Sequence, residues 1–90
     1  MASMIDDQRV CKMCGGTNDL EHHHCIHGAG RRNLADEDGL IVFLCHNCHM
    51  RLHDTRTIDL AYIQMAQRFY EKNIGSRAKF MKRYGKSWLE

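Results

Sequence analysis

Two pairs of cysteines have the spacing of a zinc site. Cys11 and Cys14 form one Cys-x-x-Cys motif, Cys45 and Cys48 form a second one, and 30 residues lie between the two motifs. Each motif presents two thiolates from one tight turn, and four thiolates complete the tetrahedral coordination of Zn²⁺. Because four cysteines close the coordination sphere, the sequence predicts a structural zinc ion that contributes on the order of 10 kcal/mol to folding.

Disulfide pairing is the alternative use of these cysteines. The chain has five of them, an odd number, and its first residues lack the basic and apolar blocks of a secretory signal. We therefore expect a cytoplasmic protein, and a reducing compartment favours metal binding over disulfides at such spacings. The fifth cysteine, Cys25, follows apolar strand positions, so we expect a small buried residue there and not a ligand.

Seven histidines lie in the same region as the cysteines, and a four-cysteine site leaves all of them unused. His49 and His53 are four apart on a predicted helix, which is how a helix presents two imidazoles to one metal ion. In the preceding hairpin, strand alternation places His22 and His24 on one face and His23 on the other. We expect this hairpin to pack across the helix, so that the two groups converge. An ordinary set of surface histidines is the alternative interpretation.

Three motifs follow one another over residues 11–53: Cys11-x-x-Cys14, then Leu20-Glu-His-His-His24, then Leu44-Cys45-His-Asn-Cys48-His49-x-x-x-His53. In this combination they resemble the HNH endonucleases of the His-Me finger, or treble-clef, superfamily. The resemblance covers half of the chain. The segments 67–71 and 77–85 are also similar to the ends of small phage-encoded HNH proteins.

The resemblance implies a role for each matched histidine. His24, the second member of the His-His pair, would be the general base that activates water. His23 would ligate one catalytic divalent ion, Mg²⁺ or Mn²⁺. His49 would be a second ligand, and His53 a third ligand or a contact to the scissile phosphate. The run of three histidines also allows the register in which His22 and His23 take these roles.

At one position the chain departs from the family pattern. We call each Cys-x-x-Cys turn a knuckle. The middle Asn of the family commonly lies five residues before the second knuckle, where this chain has Leu40. Asn33 and Asp38 are the candidates for its task, which is to fix the loop and the base.

Phosphodiester hydrolysis suits these residue types. A neutral imidazole with an ordinary pKa near 6.5 accepts a proton from water near neutral pH, and a metal ion acts as Lewis acid on the phosphate. The expected function is metal-dependent hydrolysis of DNA, in which a monomer nicks one strand. The resemblance implies phage DNA processing or recombination. The alternative is a non-catalytic zinc module that binds nucleic acid or protein.

The elements that would position these residues form a β-hairpin followed by helices. Apolar runs and turn residues predict strands over 20–26 and 40–44, a loop over 28–33 and a turn over 36–39. Helices are expected from the second knuckle through residue 53, between Thr57 and Gly75, and between Ser76 and Gly85. The expected fold is α+β, and the resemblance implies a zinc-stapled treble clef with extra C-terminal helices. We expect a single domain over 1–90, with its knuckles and ββα-metal core at 11–54 and a basic helical extension at 57–90.

Charge divides the chain. Residues 1–65 carry a net charge of −3 and residues 66–90 a net charge of +5, and the balance of 43% hydrophobic and 27% charged residues is that of a globular domain. The basic segment suits a polyanion, although a solvated helical face is the alternative. Candidate phosphate contacts are Arg31, Arg32, Lys79, Lys82 and Arg83.

We expect DNA as the partner, with a second copy or a phage recombination or packaging protein as further candidates. No membrane partner is expected, because the longest apolar run, 40–45, is far too short to span a bilayer.

Overall fold

The computed structural model describes residues 9–28 and 30–89. In this part of the chain there are two strands and four helices, in the order β1 Leu20–His24, α1 Arg31–Asp38, β2 Ile41–Cys45, α2 His46–Asp54, α3 Arg56–Asn73 and α4 Arg77–Tyr84. The predicted α+β class is confirmed. Among these residues, none of the helices combines the length and the hydropathy that a bilayer span requires.

The register of the two strands determines which histidine faces the core. β1 and β2 are antiparallel, with Glu21 opposite Leu44 and His23 opposite Val42. Directly opposite residues share one face of a sheet, and Leu44 and Val42 belong to the buried core. Glu21 and His23 therefore lie on the face of the hairpin that the core and α2 cover.

The second face of the hairpin carries the other two histidines of the run. His22 lies opposite Phe43 and His24 opposite Ile41. The His22 ring packs on the Phe43 ring with their centroids 5.0 Å apart, and the guanidinium of Arg9 lies 5.1 Å from the same centroid. The predicted alternation of the three histidines holds.

A helix occupies the segment for which the sequence predicts a loop and a turn. α1 begins after Gly30 and ends before Gly39, and both glycines have a positive φ, 77° and 72°, which glycine adopts without strain. Ala35 is fully buried and anchors α1 on the core. The loop prediction for 28–33 was wrong at 31–33, and the turn prediction for 36–39 was wrong at 36–38. Packing of Ala35 in the core stabilises a helix here in spite of a polar sequence rich in turn residues.

The C-terminal helices match their predicted limits with one shift. α3 begins after Thr55 and not after Thr57. Ser76 caps α4 as predicted, because its Oγ accepts a hydrogen bond from the backbone N–H of Lys79 at 3.2 Å. Gly85 ends α4 in the left-handed conformation with φ 95°.

An aromatic cluster joins α3 to α4. The ring of Phe80 lies 5.3 Å from that of Tyr70, 4.7 Å from that of Tyr84 and 6.0 Å from that of Trp88, measured between centroids. Phe80 is fully buried, whereas its neighbour Met81 is 43% exposed. Residues 66–90, which we call the basic tail, therefore contribute to the core.

Replacement of Phe80 measures how much the tail contributes to stability. We expect Phe80→Ala to lower the free energy of unfolding by about 3–5 kcal/mol, because it removes three ring contacts and leaves a cavity. Met81→Ala, one residue along the same helix, should change it by less than about 0.5 kcal/mol. Urea denaturation of the zinc-loaded variants checks this, and equal destabilisation of the two would contradict the packing described.

Candidate functional site

The four predicted zinc ligands lie together. One ligand atom from each of Cys11, Cys14, Cys45 and Cys48 lies within 4.8 Å of the others, and the Sγ atoms of Cys14 and Cys45 are 3.7 Å apart. A tetrahedral zinc ion with Zn–S bonds of about 2.3 Å separates its sulfurs by roughly 3.8 Å. This four-cysteine cluster could hold a structural metal ion such as zinc.

Local backbone structure forms the two knuckles. In the first, the backbone N–H of Gly15 donates to the Cys11 carbonyl at 2.8 Å, and Gly15 has a φ of 79° that favours glycine. The N–H of Lys12 donates to the carbonyl of Phe43 at 2.8 Å, which attaches this knuckle to β2. The second knuckle needs no loop, because Cys45 ends β2 and Cys48 lies in the first turn of α2.

The thiols of the cluster differ in how readily they ionise. Burial opposes ionisation of Cys11, but hydrogen bonds from the backbone N–H groups of Cys14, Cys45 and Met13 outweigh it and lower its pKa to about 6. The pKa of Cys48 is raised to about 12, first by its hydrogen bond with Cys45 and then by burial. Four thiols this close cannot all ionise unless a cation compensates their charge.

Cys25 takes no part in the cluster. It is fully buried, and burial raises the pKa of its thiol to about 12. The prediction of a small buried residue agrees with this position.

Three of the predicted histidines form a second cluster, which we call the histidine cluster: His23, His49 and His53. His23 Nδ1 lies 3.3 Å from His49 Nε2, which lies 3.2 Å from His53 Nε2. Each ring offers one nitrogen within 4.8 Å of the other two. Tetrahedral coordination at about 2.0–2.1 Å separates imidazole nitrogens by roughly 3.3–3.4 Å, so these side chains have the spacing of a metal site.

His23 is a neutral imidazole held in the core. Burial and the neighbouring His49 lower its pKa to about 4. Its Nε2 is buried and has no hydrogen-bond partner among the described residues. An unpartnered buried nitrogen is costly and calls for an explanation. A metal ion at Nδ1 would leave this nitrogen unpaired and protonated, but it does require the neutral ring that burial enforces.

Glu21 orients the central member of the histidine cluster. Its Oε1 accepts a hydrogen bond from His49 Nδ1 at 2.7 Å, and its Oε2 accepts one from His46 Nδ1 at 3.0 Å. These two bonds, that from His49 first, lower the pKa of Glu21, which keeps it a carboxylate. Because a carboxylate only accepts, the proton of His49 sits on Nδ1 and its Nε2 lone pair faces His23 and His53.

The histidine cluster lies in a cleft of about 260 Å³, which we call the histidine cleft. Its lining residues are His22, His23, His24, His27, Arg32, His49 and His53. His24 therefore lines the cleft without belonging to the cluster, and its Nε2 donates to Asp36 Oδ1 at 2.9 Å. Arg32 is the one arginine in this lining. A larger cleft of about 600 Å³ lies beside Cys14 and Cys45, and its lining contains no lysine or arginine.

Sequence reasoning missed three carboxylates that contact histidines of the cleft. Glu21 stands two positions before His23, so strand alternation could have identified it. Asp36 required knowledge of α1. Asp59, in the first turn of α3, accepts from His27 Nε2 at 3.1 and 3.2 Å, and no local pattern joins these two residues.

Other predicted residues lie away from the histidine cleft. Asn33 is exposed on α1 and is not in the lining. Asp38 Oδ2 accepts hydrogen bonds from Arg83 Nε and the Tyr84 hydroxyl, each at 2.6 Å. The guanidinium of Arg31 lies 5.4 Å from the Trp88 ring centroid. These last two contacts join α1 to the C-terminal segment.

The basic tail is compensated in part within the molecule. Arg83 also pairs with Glu37 at 3.0 Å, and Arg77 pairs with Glu71 at 3.0 Å. Lys86 Nζ lies 5.4 Å from the Trp88 ring centroid. Lys79 and Lys82 are exposed on α4. The net charge of +5 therefore overstates what this segment offers to a polyanion.

Comparison of the chain with protein-family models, with curated proteins and with solved structures yields no match. The function of the chain is therefore inferred from the geometry of its two clusters.

Replacement of the second knuckle tests the four-cysteine cluster. We expect Cys45→Ser/Cys48→Ser to lose both the bound zinc and the cooperative unfolding transition, because zinc binding on the order of 10 kcal/mol is comparable to the whole stability of a small domain. Cobalt substitution gives the readout, since thiolate-to-cobalt absorption reports cysteine ligation and not histidine ligation. Cys25→Ala is the matched control and should keep this absorption. An undiminished cobalt–thiolate band in the double variant would contradict the site.

Removal of the Glu21 carboxylate tests the histidine cluster. We expect Glu21→Ala to weaken binding of Ni²⁺ to zinc-loaded protein by about 10–100-fold, because His49 loses the hydrogen bond that fixes its tautomer. His46→Ala removes the other partner of the same carboxylate and should leave the affinity near that of the parent. Calorimetric titration measures both. Equal affinities for Glu21→Ala and the parent protein would show that Glu21 does not support a metal site.

Proposed function

We propose that this chain is a metal-dependent endonuclease of the HNH type that hydrolyses phosphodiester bonds in DNA. One observation carries the proposal: three imidazoles converge as a ligand set, and a fourth, His24, lines the same cleft outside that set. A purely structural metal site has no use for a separate imidazole beside it. The order of knuckle, hairpin, knuckle and helix also suits a treble clef.

The donor set favours a transition-metal ion over Mg²⁺. The histidine cluster contributes three ring nitrogens and no carboxylate. Mg²⁺ prefers oxygen ligands, whereas imidazole suits Zn²⁺ and Ni²⁺, and three histidines with an open fourth position are a known catalytic zinc arrangement. An ion held there would act as Lewis acid on the phosphate and the leaving 3′-oxygen.

His24 would take the proton from the attacking water. It lies at the end of β1, on the opposite strand face from His23, and so remains outside the ligand set. Its Nε2 is engaged by Asp36, which leaves Nδ1 as the acceptor. General-base catalysis of this kind contributes about 10²–10⁴-fold to the rate.

The cleft suits one phosphate of a polymer better than an enclosed small molecule. Its volume of about 260 Å³ lies below the roughly 300–1,000 Å³ of typical small-molecule pockets. Arg32 in the lining would contact the phosphate that His24 and the ion act on. Lys79 and Lys82 would add contacts to neighbouring phosphates. Such binding is independent of sequence and weakens with salt.

Nicking of supercoiled plasmid tests this function. We expect zinc-loaded protein to nick with added Zn²⁺, Ni²⁺ or Mn²⁺ and to be least active with Mg²⁺ alone. His24→Ala should reduce the rate by about 10²–10⁴-fold while Ni²⁺ affinity is kept, because the base is lost and the ligands remain. His23→Ala should lose both activity and Ni²⁺ affinity. His46→Ala, which changes a histidine outside the histidine cleft, serves as the control.

Two other outcomes have distinct meanings. Nicking that survives in His24→Ala but disappears in His23→Ala with Ni²⁺ affinity intact would make His23 the base and shift the register by one residue. A folded protein that binds DNA and never nicks with any of the four ions would instead be the non-catalytic zinc module.

A further inference from the structure

We propose that Asp36 is the positioning residue of His24, and that it performs the task for which the resemblance expects an asparagine at the position of Leu40. This inference rests on the proposed function, because it assigns a partner to the base of that site. Asp36 Oδ1 lies 2.9 Å from His24 Nε2. The two predicted candidates lie elsewhere: Asn33 is exposed outside the cleft lining, and Asp38 bonds to Arg83 and Tyr84.

The contact sets the tautomer of His24. A carboxylate has no proton to donate, so the hydrogen of the neutral ring resides on Nε2 and points to Asp36. The lone pair is then on Nδ1, the only ring atom that can accept a proton from water. Without Asp36 the ring can exchange tautomers and rotate, and the fraction of molecules with a correctly placed acceptor falls.

Backbone hydrogen bonds hold the two partners at this distance. The N–H of Cys25, the residue after His24, donates to the Leu40 carbonyl at 3.0 Å. The N–H of Leu40 in turn donates to the carbonyl of Ala35, the residue before Asp36, at 2.9 Å. The end of β1 and the last turn of α1 are thus joined through two short bonds, and fully buried Ala35 fixes the helix on the core.

The neighbouring acidic residues cannot substitute for Asp36. Glu37 and Asp38 follow it directly, yet both are partners of Arg83 on α4. Asp36 is thus the member of this acidic run that bonds to His24. Its side chain is 57% exposed and that of His24 is 25% exposed, so the pair contributes little to stability. Loss of Asp36 should therefore affect turnover and leave folding intact.

The experiment compares Asp36→Ala, Asp36→Asn and Glu37→Ala in the zinc-loaded chain. We expect Asp36→Ala to lower the kcat of plasmid nicking by about 10-fold or more, within the 10²–10⁴-fold that a general base supplies, with KM and Ni²⁺ affinity unchanged. Asp36→Asn keeps a side-chain oxygen that accepts from Nε2 and should restore most of the activity. Glu37→Ala, the adjacent carboxylate, should behave like the parent protein.

A second measurement does not depend on activity. Two-bond ¹H–¹⁵N correlation spectra of histidine-labelled protein report the tautomer of His24. We expect the Nε2–H form in the parent and in Asp36→Asn, and a tautomer mixture in Asp36→Ala. The proposal would be overturned by an Asp36→Ala variant with the parental kcat, or by one in which KM also rises and Ni²⁺ affinity also falls. If the parent protein never nicks, the proposed function fails and the catalytic role of Asp36 fails with it, whereas the spectra still show whether Asp36 holds the ring.

Discussion

The junction between β2 and α2 is the constraint on which both clusters depend. Cys45 ends the strand and Cys48 lies in the first helical turn, so closure of the four-cysteine cluster fixes the direction in which α2 leaves the sheet. Consecutive helical residues differ by about 100° around the axis, so His49 points away from Cys48 and toward the hairpin. His53, one turn later, points the same way. Knuckle closure therefore also orients two of the three nitrogens in the histidine cluster.

The strand register determines which residues of the hairpin face α2. Because Glu21 and His23 are two residues apart on β1, they share the face that α2 covers, and one contributes a carboxylate while the other contributes an imidazole. A slip of one residue would turn both away and bring His22 and His24 to the position facing His49 and His53 instead. The core residues opposite them, Val42 and Leu44, are fully buried, so burial of β2 opposes that slip.

Carboxylates from three different elements each hold one imidazole of the cleft. The pairs are Glu21 with His49, Asp36 with His24, and Asp59 with His27. Each carboxylate accepts a hydrogen bond and so selects which ring nitrogen keeps its lone pair. The selection differs between the pairs: the bond is made at Nδ1 of His49 and at Nε2 of His24. In the proposed function, this difference lets one residue type serve as ligand and as base within one cleft, because its environment assigns the role.

Local patterns predicted the parts of this site that depend on short spacings. The Cys-x-x-Cys motifs, the i, i+4 pair on α2, the alternation of the histidines and the Ser76 cap all follow from residues within four positions of one another. α1 was missed because its sequence is polar and bounded by glycines, and the contacts that hold it, burial of Ala35 and the bonds to Arg83 and Tyr84, are made with distant parts of the chain. Asp36 could not be assigned to His24 without that helix.

The contacts of the basic tail also could not be predicted from local sequence patterns, and these contacts suggest a role for it. Composition alone cannot show that Arg83 is compensated, because its partners Glu37 and Asp38 lie about 45 residues earlier. Tyr84 reinforces this connection, and the Phe80 cluster anchors α4 on α3. The tail thus holds the C-terminal end of α1 against α4. Because α1 carries both Arg32 and Asp36, one charge of the basic tail, that of Arg83, serves in the fold to hold the helix that contributes Arg32 to the histidine cleft.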